Sequence, residues 1–308
     1  MHYPTKIQTS FALVSLAVTS SLSGKAIQWN GGSTGGEWAA PENWLGGVVP
    51  GTNSIDNSQL ISKNDYATVK DDLSANRLFD VQIRNGGRLD IDADFGSIRT
   101  FRIGADGQTS DSSIVNHTTG LVRVRDEFII GHTQGISAPG NGKGQGIYTM
   151  SGGTIRLIGG LSEMVTIYNN GVFAIIGQKG IISFDIRDNT ELRLKDAATL
   201  SYELGTNGVT PIDLSGALTI SESAQLSIDA SAYEGGEANI PLINYKALVG
   251  AFESANVTIK NLDEALSAEI TYDDESVKLA VIPEPSAYAL LLGTAIILLN
   301  CSRRAKNV

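Results

Sequence analysis

Apolar residues recur two apart along most of this chain, each pair separated by a polar or small residue. GLVRV (Gly120–Val124), GTIRL (Gly153–Leu157) and VFAI (Val172–Ile175) are clear cases. This period sends alternate side chains to opposite faces of a strand, one face buried and the other wet. Gly, Asn and Asp separate the runs, and long helix-period patterns are absent from the body of the chain. The pattern predicts an all-β fold.

Some of these runs repeat. GRLDI (Gly87–Ile91), GLVRV, GTIRL and GIISF (Gly180–Phe184) form a Gly-led series at near-constant offset, with looser copies ELRL (Glu191–Leu194) and QLSI (Gln225–Ile228). FRIG (Phe101–Gly104), FIIG (Phe128–Gly131) and VTIY (Val165–Tyr168) form a second series. SIVN (Ser113–Asn116), IYTM (Ile147–Met150) and VFAI form a third. Three short strands per repeat predict a right-handed parallel β-helix, in which stacked rungs make one continuous core. A β-sandwich also has short strands, but its strands do not repeat a phrase at fixed offset. Segments Gly104–Ser112 and Gly131–Gly146 read as insertions at one corner. From about Ala230 the pattern changes to a C-terminal β cap, with Tyr272–Ser276 as a hairpin turn.

The two ends differ from this body. Lys6, the apolar run Phe11–Val18 and the small residues Gly24 and Ala26 make a signal-peptide pattern with cleavage after Ala26. WNGGSTGGEWAAPENWLGGVVPG (Trp29–Gly51) holds all three tryptophans and reads as an N-terminal cap, or alternatively as a sugar-stacking platform. The expected organisation is therefore a signal peptide (1–26), a Trp-rich cap (27–52), a solenoid (53–229), a β cap (230–282) and a tail (283–308). The tail runs Pro283, Glu284, Pro285, then an apolar stretch Ala287–Cys301, then Arg303 and Arg304.

That tail resembles the PEP-CTERM sorting signal in motif, apolar span and basic end. Trp29–Gly51 and the repeat phrases are similar to autotransporter-like passenger β-helices of bacteria. The first resemblance implies an exosortase-type membrane enzyme as processing partner, with Pro283, Glu284, Pro285, Arg303 and Arg304 as the sorting motif. It also implies a cell-surface or extracellular-matrix destination, with extracellular polysaccharide as a possible partner. A helix of fifteen residues is about 22 Å long, short of a roughly 30 Å hydrocarbon core. It would span as a short transmembrane helix during sorting, basic end inside.

Composition narrows the chemistry. The formal net charge is −10, and Lys6, Lys25, Arg303, Arg304 and Lys306 lie at the ends, so the body is more acidic still. Such a surface repels nucleic acid. The only cysteine is Cys301, so the body has no disulfide or thiolate metal site. His117 and His132 read as surface turn residues, and neither completes a catalytic or zinc spacing. Asp90, Asp92 and Asp94 alternate and would share a face able to offer oxygen ligands to Ca²⁺, or simply a solvated face. Arg123, Arg125, Asp126 and Glu127, with Arg156 and Arg193 in matching positions of other rungs, would be the groups of a polysaccharide-degrading enzyme. The same pattern is that of any outward strand face. The expectation is a structural or adhesive protein with no catalytic centre, metal or cofactor; the alternative is a polysaccharide-binding or polysaccharide-degrading β-helix.

Overall fold

The computed structural model describes residues 26–52, 58–61, 65–104, 111–131, 144–157, 164–177, 182–186, 191–235 and 237–283. The predicted signal segment up to Lys25 and the tail from Glu284 lie outside them. Among the described residues, helix is limited to two 3-10 turns, Pro41–Asn43 and Ser254–Asn256. No helix there is long and apolar enough to cross a membrane.

The chain is all-β, with long parallel sheets stacked as in a solenoid. One wall has nine parallel strands: Gly36–Glu37, Tyr66–Val69, Arg88–Ile91, Ser112–His117, Gln145–Met150, Gly171–Gly177, Thr199–Leu204, Gln225–Asp229 and Val257–Lys260. We call it the first wall. A second long sheet begins at Ala26–Gln28 and ends at Ala247–Val249. It forks in the middle, because Phe95–Ile103 and Leu121–Ile130 bend round a corner. The start of Leu121–Ile130 pairs with Gly153–Leu157, and its end pairs with Met164–Ile167. The branch through Gly153–Leu157 and Ile182–Ile186 forms the second wall, and the branch through Met164–Ile167, Glu191–Leu194 and Ala217–Ile220 the third. A four-stranded sheet follows beside the second wall, and its last hairpin, Leu266–Tyr272 with Ser276–Pro283, is antiparallel.

Register shows how the core is built. Inward side chains on the third wall stack as Ile83, Ile103, Ile130, Ile167, Leu194 and Ile220. On the first wall Leu89, Val115, Tyr148, Phe173, Leu200 and Leu226 stack in the same way. All are buried. A row of aromatic contacts links the N-terminal end to the middle. Trp29 packs edge-on against Trp44 (5.1 Å), Trp44 against Trp38 (4.6 Å) and Trp38 against Phe95 (4.8 Å). Phe101 stacks on Phe128 (5.6 Å), Phe128 meets Tyr148 (5.1 Å), and Tyr148 meets Phe173 (5.7 Å). The tryptophans are buried and so present no platform to solvent.

Two of the three predicted series match the observed pairing. Phe101 faces Phe128, and Phe128 faces Val165. Ile114 faces Ile147, and Ile147 faces Val172. The Gly-led series does not hold together. GRLDI and QLSI belong to the first wall, since Leu89 faces Val115 and Leu226 faces Leu200. ELRL belongs to the third wall, where Leu192 faces Val165. Only GLVRV, GTIRL and the following strand share the second wall, and there Ile182 rather than Gly180 faces Gly153. The reason is that every wall needs the same alternation and every corner favours a glycine, so the phrase cannot name its wall.

The insertions do leave from one corner. Gly104 and Gly131 follow the register partners Ile103 and Ile130, and the chain returns at the partners Ser112 and Gln145. Gly146 sits there without a side chain because a Cβ would lie 2.3 Å from the Ile103 carbonyl oxygen.

The aromatic row should carry much of the stability. Phe101→Ala is expected to cost about 3–5 kcal/mol. Arg125→Ala, on an exposed side chain, is expected to stay within about 0.5 kcal/mol. Chemical denaturation of both variants checks this.

Candidate functional surface

Among the described residues the interior is apolar apart from a few groups, so most polar side chains stand on the outer walls. Asp90 projects outward from the first wall. It accepts hydrogen bonds from Arg88 (3.0 and 2.8 Å), from the Tyr66 hydroxyl (2.5 Å) and from Asn116 Nδ2 (2.7 Å). Tyr66 lies one rung before Asp90 and Asn116 one rung after. Burial would raise the Asp90 carboxyl, but the bonds from Arg88, Tyr66 and Asn116 outweigh it and hold it below its usual range.

Of Asp90, Asp92 and Asp94, the third does not share the face of the first two. Asp90 and Asp92 stay on one side, since the Asp92 N–H still bonds the Val69 carbonyl and the two carboxylates meet Asn116 and Thr118 of the next rung. Asp94 lies past the corner, near Leu121 and Arg123. Asp92 accepts from the Thr118 hydroxyl, and Asp94 accepts from the Leu121 N–H at 2.9 Å. Each carboxylate therefore tethers its rung to the next. Among the described residues no three His, Cys, Asp or Glu side chains are placed to hold a metal ion.

The third wall shows the same use of charge. Arg102 lies between Asp80 (3.0 Å) and Glu127 (3.5 Å), on the rungs either side. Glu191 accepts from Arg193 (2.5 Å) and from Thr219 of the following rung (2.8 Å). The Arg193 bond holds the Glu191 carboxyl low against a smaller effect of burial. A general acid in glycoside cleavage needs a carboxyl held high; Asp90 and Glu191 are held the other way. Asp126 is bound to Arg99 at 2.5 Å.

Arg123, Arg156 and Arg193 are not equivalent positions. Arg123 and Arg156 are direct register partners on the outer face of the second wall. Arg193 is on the third wall, opposite Thr166 and Thr219. Arg125 is exposed at the bend between the two walls. Period two shows that these residues point outward; it does not show which of them meet.

His117 departs furthest from expectation. It is fully buried, in the inward row between Ile91 and Met150. The first-wall strand continues through it, because Thr118 N–H still bonds the Ile91 carbonyl. The parity Val115, His117 was the available signal, and the turn-like HTTG obscured it. His117 Nε2 lies 3.1 Å from the Gly120 carbonyl, and Nδ1 lies 2.9 Å from the Tyr148 hydroxyl. A carbonyl only accepts, so Nε2 carries the proton and Nδ1 accepts from Tyr148. Gly153 makes room for this ring: its φ is +80°, and a Cβ there would lie 2.5 Å from Nε2. His132 lies outside the described residues.

An open groove near the C-terminal hairpin is lined by Asn244, Tyr245, Lys246, Asp273, Ser276 and Lys278. Its chief carboxylate serves the predicted turn. Asp273 is bound to Lys278 (2.5 Å) and accepts from the Glu275 and Ser276 N–H groups. The outer face of the first wall is plainer. In its middle rungs it carries Ile114, Asn116, Ile147, Thr149, Val172, Ala174, Thr199 and Ser201, a flat strip without charge. No protein-family model, curated protein or solved structure matches this chain.

Burial pushes the His117 imidazole below its ordinary range, against weaker opposing bonds from the Gly120 and Thr119 backbone and the charge of Asp92. The unfolded chain then takes up a proton that the folded chain refuses. Stability is fully present above about pH 6.5 and falls as pH drops below it, until the folded imidazole itself titrates. Thermal unfolding between pH 8 and pH 5 is expected to show this fall. The double variant His117→Leu, Tyr148→Phe removes both polar partners and is expected to show a shallower one.

Proposed function

We propose that this chain is an exported protein of the cell surface or extracellular matrix, sorted by an exosortase-type membrane enzyme, with a structural or adhesive role and no catalytic centre. Its body would be a right-handed β-helix with three strands per rung, closed by the Trp-rich segment at one end and the β hairpin at the other. The observation that carries the non-enzymatic part is the use of charge. Asp80, Asp90, Asp92, Asp94 and Glu191 all bond to side chains or backbone of neighbouring rungs. A stack held this way is stiff and presents long flat faces, which suits a scaffold. The destination is supported by the order of motifs in the tail, Pro283, Glu284, Pro285, then the apolar run, then Arg303 and Arg304, and by the signal-peptide pattern that ends at Ala26. The tail would hold the protein in the membrane during sorting and leave it afterwards.

Cell fractionation with mass spectrometry of the mature C-terminus tests this reading. The protein is expected in the envelope or medium, ending near Pro283 to Pro285. Recovery of a peptide containing Arg303 from the mature surface protein would show that the tail is retained, and recovery of the protein from the cytoplasm would end the reading. Pro283→Ala with Pro285→Ala is expected to trap the unprocessed form in the membrane fraction.

A further inference from the structure

The four-stranded sheet runs Ile212–Asp213, Asn239–Asn244, Ser276–Pro283 and Leu266–Tyr272, so Leu266–Tyr272 is an outermost strand. It is seven residues long and pairs with Ser276–Pro283 without a bulge. The turn decides which backbone groups this pairing uses. The Asp273 N–H bonds the Ser276 carbonyl, which makes these two a hydrogen-bonded pair. Such pairs alternate with non-bonded ones along an antiparallel ladder. Ser267, Glu269 and Thr271 therefore bond to Ser276–Pro283, whereas Ala268, Ile270 and Tyr272 turn their N–H and C=O groups to the outer edge. Val281, opposite Ala268, likewise turns its N–H away, to the Ala238 carbonyl. No other described strand pairs along that edge. The side chains there are also incompletely covered. Leu266, Ala268, Ile270 and Tyr272 pack against the core but are only partly buried, while Leu279 and Val277, opposite Ile270 and Tyr272, are fully buried. Exposed edges are commonly blunted by Lys, Pro or a bulge. This strand has none of these, and its one charge is Glu269.

We propose that this edge is the interface for a second copy of the same chain, the two Leu266–Tyr272 strands pairing antiparallel about a two-fold axis at Ile270. A two-fold interface must be self-complementary, and this strand is. With Ile270 opposite Ile270, Ala268 stands opposite Tyr272 of the second copy, and all these residues offer N–H and C=O groups across the join. The partly buried apolar row is then continued by the same row of the other copy. On the outer face Glu269 comes opposite Thr271 of the second copy, so carboxylate meets hydroxyl. Pairing centred on Glu269 would match the backbone equally well but would set Glu269 against itself, and like charges directly opposite repel. This charge arrangement, together with the matching apolar row, selects a second copy over an unrelated extended peptide. Strand addition of this kind draws its affinity from main-chain bonds. The pairing is independent of the sorting reading above.

Sedimentation of the full-length protein in mild detergent, over a range of concentrations, tests the interface. The native protein is expected to form a dimer as concentration rises. Ala268→Pro removes an N–H that the hairpin itself does not use, and proline is tolerated on an edge strand; this variant is expected to stay monomeric, with thermal unfolding to show that it folds. Thr271→Glu, a change on the outer face, sets like charges opposite each other twice and is expected to weaken the dimer about fivefold, whereas Thr271→Lys strengthens it. The register is read by cross-linking. Glu269→Cys and Thr271→Cys, each combined with Cys301→Ser, are expected to form a disulfide when mixed under mild oxidation, and far less when either is oxidised alone. A native protein that remains monomeric, a dimer unchanged by Ala268→Pro or by Thr271→Glu, or self-linking of the Glu269→Cys variant equal to that of the mixture would overturn the proposal. None of these results bears on the mature C-terminus.

Discussion

Every rung of this protein depends on the register of the rungs above and below it. A single rung is a ribbon of short strands with a few inward side chains, and alone it can bury none of them. Parallel pairing places like on like, so Ile103, Ile130 and Ile167 form one ledge of the interior. The aromatic residues meet across the walls instead, Phe128 of the third against Tyr148 of the first. A slip of one residue would turn a whole strand inside out. Such a slip would expose Phe128 and bury Glu127, so the interior itself polices the register.

The same constraint governs the polar groups. An outward carboxylate has as neighbours the side chains one strand before and one strand after it, because these are within hydrogen-bond reach. Asp90 bridges Tyr66 and Asn116 for that reason, and Arg102 sits between Asp80 and Glu127. Exposed ion pairs contribute little singly. Here they act as ties along the stacking axis, adding to the backbone ladder. His117 shows the opposite case: a polar ring taken inward is tolerated because Gly120 and Tyr148 supply both of its partners and Gly153 leaves it space.

Alternation along the chain was enough to identify the strands and their inward faces, and paired phrases such as FRIG with FIIG revealed true neighbours. Alternation failed where it is degenerate. The runs from Gly87 and from Gly120 look alike, yet one lies on the first wall and the other on the second, since all walls impose one period and differ only in the length of the corners between them. His117 was missed because a turn-like stretch concealed one more inward position. Asp94 looked like a third member of the Asp90 and Asp92 face because the alternation was carried past the corner that follows Asp92.

The sequence by itself therefore determined the class of structure: short strands, apolar on alternate positions, acidic outside, without a body cysteine. It also contains the two terminal patterns on which the proposed destination rests. Only the tertiary structure decided which side chains meet. Arg123 and Arg156 stand far apart in the chain and side by side on the wall; Arg193, in a similar local phrase, stands elsewhere. The physical reason is that local period sets the direction of a side chain, whereas its neighbours are set by strand register, and register is chosen by the packing of the whole stack.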